Sequence, residues 1–476
     1  MKIKYLIIGA GPSGLGAGHR LKERGVTDFL IVDAEKTVGG LSKSFVDENG
    51  FTWDIGGHIQ FSHYAYFDRL MDAAIPAPEW ENHERESWVW LANRFVPYPF
   101  QNNIRFLPWG KMLTCLFGII RLKIHRKFSK TPPSANFLDW IQNNFGDGIG
   151  RLFMEPYNFK VWAIPPVKMS SEWVGDRVSV VSLRKTLRNI LLRKNDVSWG
   201  PNNRFRFPKK GGTGAIWESV ADLVGRKKIR LNSAVKAVDP VNHFVILEDG
   251  TKIEYEALFN TMPVDQLIER CRGLESLHEI AAKLQHSTTH IVGIGLRGQT
   301  PAHLKGKCWL YFPESNCPFY RVTVFSHYSK LNVPDPKTQW SLMLEISESQ
   351  YKPVDQKNIV QDAIAGLLAT QLIGSRDDIV SRFYHRAPYG YPTPTVERNE
   401  SLKMIQPCLE EYQIYSRGRF GGWKYEVSNQ DHSVMQGVEW AERMTSGLAE
   451  CTYFDPNRVN AGKSDWITTV NTKKAA

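Results

Sequence analysis

Gly9-Ala10-Gly11-Pro12-Ser13-Gly14, close to the start of the chain, is the stretch whose reading settles the fold. Before it, residues 4–8 form an apolar run that reads as a buried parallel strand. After it, residues 15–22 have helical character, and residues 28–32 read as a second strand that ends at Asp33. Each part has a mechanical task. Gly9 makes the tight turn, Gly11 lets backbone approach a pyrophosphate, and Gly14 lets the helix pack on the strand. The helix N-terminus then faces phosphates, and Asp33 stands where a carboxylate accepts bonds from ribose hydroxyls. Met1-Lys2-Ile3-Lys4 with its apolar run mimics a signal peptide, but the glycines that follow make it a buried strand.

Two glycine doublets narrow the ligand. Gly39-Gly40-Leu41 follows Asp33 closely, and Asp54-Ile55-Gly56-Gly57-His58 follows that. Such doublets let backbone lie against a large flat group, so FAD is expected rather than NAD. The pairing resembles the large FAD family that includes the amine oxidases. The middle of the chain agrees: residues 235–238 and 244–247 read as strands, with Asp249-Gly250 as a hairpin turn. Ala257-Leu258-Phe259-Asn260-Thr261-Met262-Pro263 resembles the segment that returns to the FAD domain in that family.

The expected fold class is α/β: a Rossmann-like FAD domain with a helical insertion and an antiparallel sheet domain. The FAD domain is discontinuous, 1–75, 205–265 and 417–457. Helical patterns at 112–124, 137–144, 149–154 and 181–192 mark an insertion over 100–194. Strands at 290–296, 308–312, 319–325, 340–346 and 380–385, together with the segment 88–96, build the sheet domain from 76–99 and 266–416. Asn429-Gln430-Asp431-His432-Ser433 opens a capped helix whose N-terminus is placed to face the flavin.

At 476 residues the chain is long enough for two to three domains. The net charge of +11 suits anionic partners. No nucleic-acid motif accompanies it, and the basic stretch 184–194 reads as a solvated helix face. The six cysteines form no C-x-x-C pair, so they read as reduced cysteines of a cytoplasmic protein without a metal site. The apolar run 113–120 is too short to span a bilayer, and with its basic flanks it reads as a buried helix with a snorkelling rim. No integral membrane segment is expected, and an oligomer is possible.

Longer motifs extend the resemblance. VPYPFQNNI from Val96, LFMEPYNFKVWA from Leu152, WVGDRV from Trp173 and WGPNNRFRFPKKGGTGAIW from Trp199 resemble the UDP-galactopyranose mutases, in the branch typical of eukaryotes. So do KCWLYFPESNCPFYR from Lys307, GYPTPT from Gly390 and SRGRFGGWKYEVSNQDHS from Ser416. The resemblance implies an isomerase that interconverts UDP-galactopyranose and UDP-galactofuranose for glycan or cell-wall biosynthesis. Its FAD must be reduced yet undergoes no net redox change: reduced N5 attacks the anomeric carbon, UDP leaves, and UDP returns to the five-membered ring.

The same resemblance implies roles for residues. Arg177 and Arg321 supply positive charge to the departing pyrophosphate, with hydroxyls from Tyr311, Tyr328, Tyr391 and Tyr425. Tyr98, Phe100 and Gln101 form the uridine pocket. Asn158, Trp162, Asn202 and Asn429 lie near the substrate. His58 lies beside the flavin, and Gly57 turns its carbonyl toward N5–H. With Gly40 and Gly56, Arg419 and Gln430 are flavin contacts, while Arg85 and Ser87 receive NADPH as reductant. The alternatives are a mutase for another nucleotide sugar, a flavin amine oxidase-like oxidoreductase, and a nucleotide-sugar sensor without turnover.

Overall fold

The strand Lys2–Ile8 sends Tyr5 and Ile7 to one face and Leu6 and Ile8 to the other, and both faces are buried. A strand covered on both sides belongs to the middle of a doubly wound sheet. The protein, described here from a computed structural model over residues 1–128, 133–175, 182–194, 204–376 and 378–461, has that sheet. Lys2–Ile8 pairs in parallel with Phe29–Val32 on one side and Lys252–Asn260 on the other, and Ile229–Arg230 adds beyond Phe29–Val32. Ile414–Ser416 pairs with the end of Lys252–Asn260, while Val235–Asp239 and Phe244–Leu247 continue from its beginning. On one face Tyr5, Ile7 and Ile31 pack against the helices Pro12–Glu23, Gly214–Val224 and Gln430–Ser446. On the other, Leu6, Ile8 and Val32 pack against Arg398–Glu411 and Val264–Arg270.

The register aligns the ends of the parallel strands. Ile8 stands opposite both Val32 and Asn260, and Asn260 opposite Ser416. Four strands therefore release their chains at one edge, where open α/β sheets bind ligands. Arg398–Glu411 and Ile414–Ser416 lie before residue 417, where the dinucleotide domain is expected to resume, yet both pack into its core and sheet.

The second sheet runs Ile379–Pro392, His286–Arg297, Gln339–Glu348, Arg321–Val324, Trp309–Tyr311, Ser87–Leu91, Arg94–Pro97. It is antiparallel except where Trp309–Tyr311 runs parallel to Ser87–Leu91. The expected segment 88–96 is thus a hairpin. Its turn residues Ala92 and Asn93 both have positive φ, 52° and 57°, the twist that a two-residue loop requires. Val292, Ile294, Leu342 and Leu344 pack on one face beneath Ile359–Ala369, and Ile291 and Met343 point to the other, toward the helices of 100–194.

Those helices are Trp109–Phe128, Phe137–Ile149, Glu155–Trp162 and Leu183–Leu191. The first departs from expectation. It is not a buried helix with a basic rim: only Met112, Cys115 and Ile119 are buried, and several of its large apolar side chains face solvent. The reason is that the partner helix Phe137–Ile149 covers a single face of it, and among the described residues nothing covers the other.

Candidate active site

Gly9 has a φ of +103°, and a Cβ there would lie 2.0 Å from Thr261 Oγ1, so only glycine makes this turn between strand and helix. At Gly14 a Cβ would lie 1.8 Å from the Gly9 carbonyl oxygen, which seats the helix on the turn. Gly11 differs: a Cβ there would meet nothing closer than Gly40 Cα at 3.8 Å, and its open side faces a cavity. The helix that follows has Pro12 in its first turn and no acidic residue there, so its N-terminal N–H groups stay available to an anion. Asp33 accepts hydrogen bonds from the Ala10 and Glu35 backbone N–H groups, at 2.6 and 2.8 Å, and lines the same cavity. Burial raises its pKa, though those two hydrogen bonds oppose the rise. Each oxygen keeps a lone pair for a ribose hydroxyl. A glycine cradle, an open helix N-terminus and a carboxylate beside it fit the adenosine diphosphate half of FAD.

The cavity has a volume of about 1760 Å³ and runs from Gly9, Gly11, Asp33 and Gly40 to the face of the second sheet. That face carries three side chains in one row, because Tyr311 stands opposite Arg321 and Arg321 opposite Glu345 on adjacent strands. Arg321 donates from Nε and Nη2 to the two oxygens of Glu345, both at 2.7 Å. The Tyr320 hydroxyl donates to the same carboxylate at 2.7 Å, and the Gly57 N–H at 3.0 Å. Burial opposes ionisation of both partners, yet their mutual attraction dominates: Glu345 is held below the usual carboxylate range and Arg321 well above its own. The guanidinium also lies 5.2 Å from the Trp309 ring centroid. Arg321 is therefore one half of a fixed bidentate pair, with three of its five N–H groups left over.

Gly56 and Gly57 hold the next turn. Gly56 has a φ of +97°, and the His58 N–H donates to its carbonyl at 2.8 Å. A Cβ on Gly57 would lie 2.7 Å from Trp309 Nε1 and 2.8 Å from Thr323 Oγ1. Both of those atoms, and His58 Nδ1, are buried without a hydrogen-bond partner among the described residues. Burial, helped by the Arg419 charge, lowers the His58 pKa to about 4, although Glu345 pulls the other way, so the imidazole is neutral at pH 7. A polar ring system lying against this turn would satisfy such orphaned groups.

Aromatic rings enclose the other walls. Tyr391, Tyr425, Trp162, Asn158 and Asn429 line the cavity with Tyr98 and Tyr311. The Trp162 ring meets Tyr425 at 4.7 Å and Tyr391 at 5.7 Å, both edge-on. Arg419 also lines it; it donates to the carbonyls of Gly390 and Ser428 and lies 4.8 Å from the Tyr391 ring centroid. Gln430 accepts from Gln60 and Trp217, at 3.0 and 2.9 Å. Arg85 reaches the cavity over Tyr98 and Trp309, and its Nε donates to Ser87 Oγ at 2.9 Å, so Ser87 stands behind it.

Several expected residues are set back. Phe100 is buried in a stack with Phe153, because the 3-10 turn Phe100–Asn102 directs it into the core, and Gln101 is buried beside it. Tyr328 packs behind the wall among Phe205, Phe207 and Phe325, its hydroxyl without a partner among the described residues. Arg177 and Asn202 lie outside the described residues. Asn429 occupies the cap position of Gln430–Ser446, but its side chain makes no capping hydrogen bond.

Sequence reasoning missed Glu345, Tyr320, Trp309 and Tyr157, all of which line the cavity. Glu345 had a signal: it is a lone carboxylate inside the apolar run of Gln339–Glu348. It also missed a buried cluster. Asp431 accepts from the backbone and the ring nitrogen of His63, at 3.0 and 2.7 Å, and from the His432 N–H at 2.8 Å. The ligand-type atoms of these three residues lie within 4.8 Å of one another. Here the carboxylate is engaged in tying residues 61–63 to the start of the Gln430–Ser446 helix.

A family model for flavin containing amine oxidoreductases matches residues 12–285. The mitochondrial protoporphyrinogen oxidase of Nicotiana tabacum is 23% identical over 253 residues, 49% of this chain and 50% of that protein. Polyamine oxidase 7 of Oryza sativa subsp. japonica is 54% identical over 37 residues, 8% of each. The chain spans about half the length of the first of these curated relatives, and far less of the second. Among solved structures, that of a reduced UDP-galactopyranose mutase superposes with a TM-score of 0.94 at 46% identity, covering 98% of both chains. A putative protoporphyrinogen oxidase from Exiguobacterium sp. 255-15 superposes with a TM-score of 0.69 at 15% identity, covering 94% of this chain and 99% of that one, a likeness of fold alone.

Proposed function

Because this chain belongs to the UDP-galactopyranose mutases, within the flavin-containing amine oxidoreductase family, we propose that it interconverts UDP-galactopyranose and UDP-galactofuranose. The observation that carries this reading is the continuity of one cavity from the dinucleotide turn at Gly9 to the row Tyr311, Arg321, Glu345. When bound and reduced, FAD supplies a nucleophilic N5 for the anomeric carbon and takes no net electrons from the sugar.

The chain's own residues do the remaining work. Arg321, fixed by Glu345, keeps guanidinium N–H groups for the diphosphate as charge builds on it, and the family resemblance assigns Arg177 the same task. Tyr311, Tyr391 and Tyr425 offer hydroxyls to the same group, and Tyr328 stands behind them. Tyr98 stacks on the uracil; Phe100 and Gln101 support that wall from behind. Asn158, Trp162 and Asn429 line the cavity where the sugar would lie, and the family resemblance assigns Asn202 the same task. Neutral His58 accepts or donates one hydrogen bond beside the flavin without adding charge. Gln430 sits at a helix N-terminus aimed at the cavity, which favours negative charge on the reduced ring. Arg85, steadied by Ser87, provides a cation for the phosphate of NADPH as reductant.

The test is chromatographic. The dithionite-reduced protein, kept without oxygen, converts UDP-galactofuranose to UDP-galactopyranose over many turnovers, whereas the oxidised protein does not. Bridging oxygen label in UDP-galactose moves into the diphosphate during turnover. Oxygen consumption with an amine substrate and no isomerisation would replace this reading with an oxidase. UDP-galactose binding without label movement would leave a sensor.

A further inference from the structure

The helix Trp109–Phe128 has two apolar faces. Met112, Cys115 and Ile119 face the core against Phe137–Ile149. Trp109, Leu113, Phe117, Ile120, Ile124 and Phe128 recur at intervals of four, four, three, four and four, which places them on one stripe of an α-helix. That stripe faces out: Trp109 is 77% exposed, Phe117 67% and Phe128 77%. Contiguous exposed apolar surface of this kind marks a contact face. The helix Leu183–Leu191 ends nearby on exposed Leu191 and Leu192, since both helices pack on the short turn Ile104–Phe106.

Charge identifies the partner. Residues 87–138 hold eight Lys and Arg and no Asp or Glu, and residues 183–194 hold five and none. Lys123 and Lys127 follow one edge of the stripe and Arg121 the other, Arg121 pairing with Asp147 at 3.6 Å. A second copy of the chain laid on this face would bring like charges together. An anionic surface complements it. We propose that this face is a peripheral docking surface for an anionic lipid bilayer, with the Trp109–Phe128 helix lying in the headgroup plane. The stripe enters the acyl boundary, Trp109 sits at headgroup level, and the lysines reach the phosphates. No helix among the described residues is long and apolar enough to cross a membrane, so contact is at the surface.

Vesicle flotation with the FAD-loaded full chain tests this. The protein floats with vesicles of phosphatidylcholine and phosphatidylserine, not with phosphatidylcholine alone, and salt releases it. Leu113→Glu with Phe117→Glu lowers binding on the order of tenfold or more, while Lys123→Gln or Lys127→Gln each lowers it about fivefold. The variants keep flavin absorbance and isomerase rate, because the face is remote from the cavity. Absence of flotation with anionic vesicles overturns the proposal, as does flotation that the Glu variants leave unchanged. A dimer that binds no vesicles and splits in Phe117→Glu would also overturn it, in favour of a second copy.

Discussion

Arg321 and Glu345 share a buried row of the second sheet, so neither can be altered alone without consequence. Removing one partner of such a pair strands the other charge and costs about 3–5 kcal/mol. Arg321→Ala is expected to lose that much stability in urea unfolding and on the order of a hundredfold in turnover. The double variant Arg321→Ala, Glu345→Gln recovers most of the stability, since no charge is then stranded, but not the rate. Recovery of both would make Arg321 structural only. His58 offers a pH test. Its folded pKa of about 4 lies below its ordinary 6.5, so the unfolded chain binds the proton more readily. The stability it supports is complete above 6.5 and is lost as pH falls toward 4. Unfolding of the flavin-free protein across that window should show a shallower acid slope in His58→Asn than in wild type. Identical slopes would mean that His58 titrates normally.

Between elements, Pro12–Glu23 and Gln430–Ser446 approach each other closely. A Cβ on Gly437 would lie 2.1 Å from the Ser13 carbonyl oxygen, and one on Gly16 2.7 Å from that of Val434. This contact sets where two helix N-termini stand relative to the cavity, because Pro12 and Gln430 both line it. Overpacking a well-filled contact costs about 1–3 kcal/mol. Gly437→Ala should therefore destabilise by about that amount and weaken FAD binding, measured by flavin fluorescence titration. Gly110→Ala is the contrast: it meets nothing within 4 Å, lies in an exposed helix, and should be neutral or stabilising by up to about 1 kcal/mol. Equal FAD affinity in both variants would uncouple the helix contact from the cofactor site.

For the molecule as a whole, the cavity is the joint between the two sheets, and a ligand that fills it binds the folded chain only. FAD at one hundred times its dissociation constant should add about 2.7 kcal/mol to unfolding, read as a rise in the denaturation midpoint. An unchanged midpoint would mean that the cavity does not hold FAD. The pairing of the sheets also explains why so many aromatic residues serve the site: Tyr311 comes from the second sheet and Tyr98 from the bend just after its strand Arg94–Pro97, Tyr157 and Trp162 from the one helix Glu155–Trp162, and Tyr425 from a turn.

The dinucleotide unit was legible along the chain because its parts are consecutive. Strand, glycine turn, helix, strand and Asp33 fall within thirty-three residues, and each has a local reason for its residue type. The apolar runs of the second sheet were legible for the same reason, since a strand buried on both faces announces itself. Pairing was not. Nothing local places Arg321 opposite Glu345, which are twenty-four residues apart, or makes Trp309–Tyr311 run parallel to Ser87–Leu91. Likewise Phe100 and Tyr328, assigned by resemblance to the substrate pocket, turned inward because their neighbours in space, Phe153 and Phe207, offered stacking that the linear order does not display. The apolar stripe of Trp109–Phe128 carried the sharpest ambiguity, because periodicity counts apolar faces and not the partners that cover them. One face found Phe137–Ile149; the other, without a covering neighbour among the described residues, stayed in solvent.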